Sequence, residues 1–181
     1  MRLRGLSFLF AVVLGTFPLT AGTGAATGTV SQGFETFAEH CFSPHLTWAI
    51  LAQEEKAVAN GVRFDFYDLM PFSAAKATPV TGRPATDGTD RRCEVSFDTD
   101  AATQAVTVAI DALSREGIRV EAPLPTTHAD AALPGTTLLA ARKLNPKRIA
   151  IVHTGTRPGV NGIETFLMVE RLTPEASARQ N

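Results

Sequence analysis

Apolar positions recur along this chain at two periods, and the switches between them divide it into elements. Phe34, Phe37, Ala38 and Cys41 fall at helical spacing behind a Ser31 cap, which predicts a short helix with Cys41 on its buried face. Pro44 interrupts it, and Leu46 to Val58 suits a second helix that Asn60-Gly61 stops. Val62 to Leu69 then alternates apolar and polar residues, as a half-buried strand does. Arg92 to Phe97 resumes the alternation with Cys93, Val95 and Phe97 on one face. Between the two strands lies a stretch from Pro71 to Asp90 with Pro79, Gly82, Pro84 and Gly88, a long connection of the kind that carries function.

Asp98 or Asp100 is placed to cap a helix whose Ala102, Val106, Ala109, Ile110 and Leu113 form one stripe, ended by Glu116-Gly117. Ile118 to Glu121 reads as a short strand, and Ala122 to Gly135 as a loop rich in Pro, Thr, Ala and Asp. Thr136 to Lys143 and Arg148 to Thr154 flank Asn145-Pro146-Lys147, where proline pre-sets a type I turn, so they predict a hairpin. Ile163 to Leu172 is apolar on both faces, which marks a central or covered strand, and the chain after Pro174 reads as frayed. The order predicts an α+β fold: a mainly antiparallel sheet of five to six strands with two to three helices packed on one face.

The N-terminus changes the picture of where this domain works. Met1-Arg-Leu-Arg4, the apolar run Leu6 to Leu14 and the small residues Ala21 to Ala26 follow the order of a secretory signal. The run is shorter than the roughly 20 residues a membrane-spanning helix needs. The expectation is therefore a signal peptide over residues 1–26 and a single secreted domain over 27–181, periplasmic or secreted, with no membrane span after cleavage. Loss of Arg2 and Arg4 leaves 15 basic against 18 acidic side chains, no field for nucleic acid. Two cysteines in an exported chain predict a Cys41–Cys93 disulfide.

Candidate chemistry is sparse. Ser73-Ala-Ala-Lys76 and the later His153-Thr154-Gly155 have the look of a serine acyl-transfer pair, but the first lies in a proline-rich stretch and a Ser-x-Asn motif is missing. His40, Cys41 and His45 have metal-ligand chemistry, yet neighbours on a helix diverge by about 100° and the disulfide would take Cys41, so no metal site is expected. Gly155 to Gly162 is glycine-rich without the Gly-Lys-Ser/Thr ending of a phosphate loop and reads as a hairpin tip, so no cofactor is expected. His153 alternates with Ile149 and Ile151 and reads as a buried imidazole more readily than as a general base.

Val62-Arg-Phe-Asp-Phe-Tyr-Asp-Leu69, Thr81-Gly-Arg-Pro84, Thr89-Asp-Arg-Arg-Cys-Glu-Val95 and Leu138-Leu-Ala-Ala-Arg-Lys-Leu-Asn-Pro146 resemble a group of small secreted proteins from alphaproteobacteria. That resemblance implies export and carries no catalytic residue. The reading of the residues is an exported binding or accessory protein for a periplasmic protein or small molecule, not an enzyme. Its recognition surface is expected on the loop 71–90 and the tip 155–162, through Arg83, Asp87, Asp90, Arg91 and Arg157. The alternative is a small hydrolase using Ser73 with Lys76, or His153.

Overall fold

A computed structural model describes residues 23–42, 61–69 and 84–180. Among these, five strands form one antiparallel sheet: β1 (Val62–Asp68), β2 (Thr89–Asp98), β3 (Thr136–Asn145), β4 (Arg148–Gly159) and β5 (Gly162–Leu172). Their order across the sheet is β1-β2-β5-β4-β3, so β5, the strand with apolar residues on both sides, sits at the centre. The helices are α1 (Thr23–His40), α2 (Ala102–Arg115), α3 (Thr126–Asp130) and α4 (Pro174–Ala178). This is the expected α+β plan with the expected hairpin between β3 and β4.

The two long helices cover one face. Val62, Phe64 and Phe66 of β1, Cys93, Val95 and Phe97 of β2, Val152 of β4 and Leu167 and Val169 of β5 share a core with Phe37 of α1 and Ala105, Ala109, Ala112 and Leu113 of α2. Strand alternation places all of those strand residues on the same side. Cys41, just beyond α1, is joined to Cys93 by the expected disulfide, with Cα atoms 5.3 Å apart. The bond thereby ties the end of a helix to a strand inside the core. Gly33 lets α1 lie directly on Phe97: a Cβ there would fall 2.3 Å from the ring. Phe34 meets the same ring edge-on, centroids 5.4 Å apart.

Several boundaries depart from expectation for local reasons. α1 begins at Thr23, upstream of Ser31, since no proline between Thr23 and Val30 interrupts it; Ser31 Oγ donates to Glu35 within the helix instead of capping it. The N-cap of α2 is Ala101 instead of an aspartate, though Asp100 Oδ1 accepts from the Ala102 N–H at 3.4 Å; the Ala101 N–H donates to Thr165 Oγ1, at 2.8 Å. The buried stripe of α2 is turned so that alanines face the sheet and Ile110 is left exposed, which brings the helix axis closer to the strands. Its end matches expectation, with Gly117 in the left-handed region at φ 73°.

The expected strand at Ile118–Glu121 is a single bridge from Glu121 to Arg142, cut short by Pro123, which has no N–H to donate. α3 occupies part of the expected loop 122–135. α4 replaces the expected frayed end: Thr173 caps it by accepting from Ala176 N–H, Pro174 occupies the first turn, and Ser177 is buried with its Oγ accepting from Ile149 N–H. Ala176 joins Ala141, Ile149, Ile151 and Leu172 in a second, smaller apolar cluster on the reverse face of the sheet. Residues 1–22 of the expected signal peptide 1–26, the expected helix 46–58 and most of the loop 71–90 lie outside the described residues, and residues 23–26 belong to α1.

Candidate functional site

The reverse face is apolar toward β3 and β4 and at Phe166 and Met168 of β5. Across β1, β2 and β5 the same parity of positions carries Arg63, Asp65 and Tyr67, then Arg92, Glu94 and Ser96, then Glu164 and Glu170. These side chains are nevertheless mostly buried; Arg92 is fully so, and Glu94, Glu164 and Glu170 nearly so. Burying charges at this density is costly unless each finds a partner.

Pairing solves most of it. Asp65 and Glu94 stand directly opposite one another on neighbouring strands, an arrangement that repels. Two arginines draw them apart: Arg92 holds Asp65 at 2.6 Å, and Arg157 of β4 holds Glu94 at 2.5 Å. Arg157 also donates to Glu164, and Arg63 bridges Glu164 and Asp98. Burial works against the charge on Arg157, but Glu94 and Glu164 together outweigh it and hold its pKa above the ordinary arginine value. Hydrogen bonds from Arg63 and Asn161 hold Asp98 below the usual carboxylate range. The guanidinium of Arg157 also lies 5.2 Å from the Phe166 ring centre, where the ring face attracts a cation.

These residues line a cleft of about 600 Å³ at one end of the sheet, closed at its rim by Leu133 and by Pro158, Gly159 and Val160 at the β4–β5 turn. That size suits a small organic ligand. One polar atom in its lining is unsatisfied: Glu94 Oε1 meets Arg157, while Glu94 Oε2 is buried and accepts no hydrogen bond. A second orphan lies further along the same face, the fully buried Tyr67 hydroxyl. Burial first, then the negative charge of Glu170, pushes the Tyr67 pKa well above its ordinary value.

The remaining expected residues scatter. Arg83, Ser73, Lys76 and His45 lie outside the described residues. Asp87 is exposed beside a separate cavity of about 260 Å³ near α3 and α4. Asp90 and Arg91 are buried in ion pairs, which withdraws them from any recognition surface: Asp90 binds Arg148 at 2.5 Å and Arg171 at 2.7 Å, and Arg91 lies 3.9 Å from Asp68. Burial lowers the Arg91 pKa to about 10 against the pull of Asp68. Among the described members of the expected set, Arg157 alone lines the cleft.

His153 is buried, 2.6 Å from Thr136 Oγ1 and edge-on to Phe166. Cys41 is in the disulfide, and among the described residues no group of three or more His, Cys, Asp or Glu side chains is placed to hold a metal.

Sequence reasoning missed His128. It is buried, with Nε2 3.0 Å from Thr89 Oγ1 and 3.5 Å from Glu170 Oε2, and with Nδ1 3.2 Å from Thr127 Oγ1. Burial pushes its pKa down to about 4. Missed too were Arg63, Glu94 and Glu164; the signal available was a charged residue at every second position of predicted strands. No helix among the described residues is long and apolar enough to cross a membrane. Comparison with protein-family models, with curated proteins and with solved structures gives no match to this chain.

Proposed function

We propose that this protein is exported and acts as a periplasmic or secreted binding protein, with the cleft bounded by Arg63, Glu94, Arg157 and Val160 as its ligand site. The observation that carries the reading is a ligand-sized cleft whose buried Glu94 keeps one oxygen without a hydrogen bond. An unmade bond to a buried charged group costs about 1–3 kcal/mol or more, which a ligand donor would recover. Strands rather than loops supply the charged groups, so the site is held in shape before any ligand arrives. Ser96, the hydroxyl among the described lining residues, accepts from Arg63 Nε at 3.2 Å, and no imidazole lines the cleft among them. That chemistry favours holding a ligand over attacking one. The disulfide and the basic, apolar and small segments of the N-terminus support export.

The test is backbone amide NMR of the oxidised protein against a library of small organic fragments. Shifts gathering on Arg63, Glu94, Arg157 and Val160 are expected. Fragments that gather elsewhere, or none that bind, would overturn the reading.

A further inference from the structure

The pairing of charges in the cleft is uneven. Its ion pairs, among the described residues, join Glu94 to Arg157 alone, while Glu164 is shared by two arginines and Arg63 also holds Asp98. The arginines are committed. Arg157 is shared between Glu94 and Glu164, and Arg63 between Asp98, Glu164 and Ser96. An anionic ligand would have to break these pairs and leave buried carboxylates unpaired, the costliest outcome for such a network. A cationic ligand has an acceptor still to satisfy: Glu94 lines the cleft, and its buried Oε2 makes no hydrogen bond.

The rest of the lining points the same way. Leu133, Pro158 and Val160 give the cleft an apolar rim, and Val160 is 88 % exposed, an aliphatic side chain left to solvent at the mouth. An occupant with an apolar body covers that rim, while a single N–H cation reaches the carboxylate. The charge-assisted bond it forms is about twice as strong as a neutral one.

We infer that the cleft selects a ligand with one protonated amine or guanidinium on an apolar body, its cation seated against Glu94. This rests on the cleft being the binding site, and adds the chemical class of what it binds. The size of the cleft, about 600 Å³, accommodates a body of aryl-alkyl dimensions.

Phenylbutylamine, phenylbutanol and phenylbutyrate share one body and differ in charge, so titrating the oxidised full chain with each, by calorimetry and amide NMR, isolates the charge. The amine is expected to bind at least about tenfold more tightly than the alcohol, with the butyrate weakest and the shifts centred on Glu94. Glu94→Gln should erase the amine's advantage over the alcohol. Val160→Trp, at an exposed turn, should block both. An amine no tighter than the alcohol, or a butyrate that binds best, overturns the cationic class while the cleft stands as a binding site. If fragments bind the cleft but none of the three probes does, the class again fails alone. If neither fragments nor probes bind there, both readings fail. Should Glu94→Gln not fold, the charge series on the unaltered protein still decides.

Discussion

The two faces of this sheet are built on opposite physics. On the face under α1 and α2, Phe97, Val95, Cys93, Leu167 and Val169 pack against Phe37 and the alanines of α2, and stability there comes mainly from area removed from water, with Thr154, Thr165 and the Asp68–Arg91 pair also buried on that side. On the reverse face, positions one residue away carry Arg92, Glu94, Glu164 and Glu170, equally hidden but held by geometry-dependent pairing. The first face tolerates any well-fitting apolar set. The second tolerates only complete sets, because a lone buried charge costs more than the pair contributes. The sheet thus sets a permissive apolar core on one side against an exacting polar network on the side proposed to bind a ligand.

The sharpest break in that comparison is loss of volume on the helix face. Phe97→Ala removes a fully buried ring that meets Phe34 and abuts Gly33, and should cost about 4 kcal/mol in denaturant unfolding. A cost under about 1 kcal/mol would mean that the core is far looser than its packing.

Next comes Arg157→Met, which strands Glu94, leaves Glu164 to Arg63 alone and should cost about 3 kcal/mol. Here the faces separate. Adding Glu94→Leu and Glu164→Leu should return stability close to that of the parent, since replacing a whole buried ion set by apolar residues is nearly neutral. If the triple variant is less stable than Arg157→Met alone, the reverse face is not a network of mutually dependent charges.

His128 supplies a pH signature confined to the reverse face. Its pKa in the fold is about 4 because of burial, below an unfolded value of 6.5, so the unfolded chain takes up the proton first. Its contribution is complete above pH 6.5 and is lost as the pH falls from there toward 4, in all about 3 kcal/mol. Unfolding midpoints measured across that window should slope downward with acid in the parent and flatten in His128→Gln. An unchanged slope would assign the acid sensitivity to the carboxylates.

The smallest effect tests the seam between a strand and a helix. Thr165→Val removes the hydroxyl that accepts from Ala101 N–H and donates to Thr99 O at 2.6 Å, and should cost about 1 kcal/mol, with faster amide exchange confined to the first turn of α2.

Period and turn chemistry were legible along the chain. Alternation at Val62–Phe66 and Cys93–Phe97, apolar residues on both sides of Ile163–Leu172, and Asn145-Pro146 between two strands are local signals, and each became the element it predicts. Cys41 and Cys93 were paired by count and compartment, and the bond is present. The capped helix after Thr173 was also readable from Thr-Pro-Glu, and was passed over because it lies close to the chain end.

Most of the cleft was not legible, for a definite reason. The charged residues of β1 and β2 alternate outward from the core, so along the sequence they are indistinguishable from a solvated face. Which carboxylate meets which arginine depends on strand order and register: Glu94 meets Arg157 across β5, and Arg63 meets Glu164, 101 residues away. By itself the sequence determined the type of most elements and the cysteine pairing, because those follow from neighbours along the chain and from parity. Only the tertiary structure decided that β5 lies between β2 and β4, that Asp90 and Arg91 turn inward, and that Glu94 is left with one oxygen unpaired, because burial and pairing are set by contacts distant in sequence.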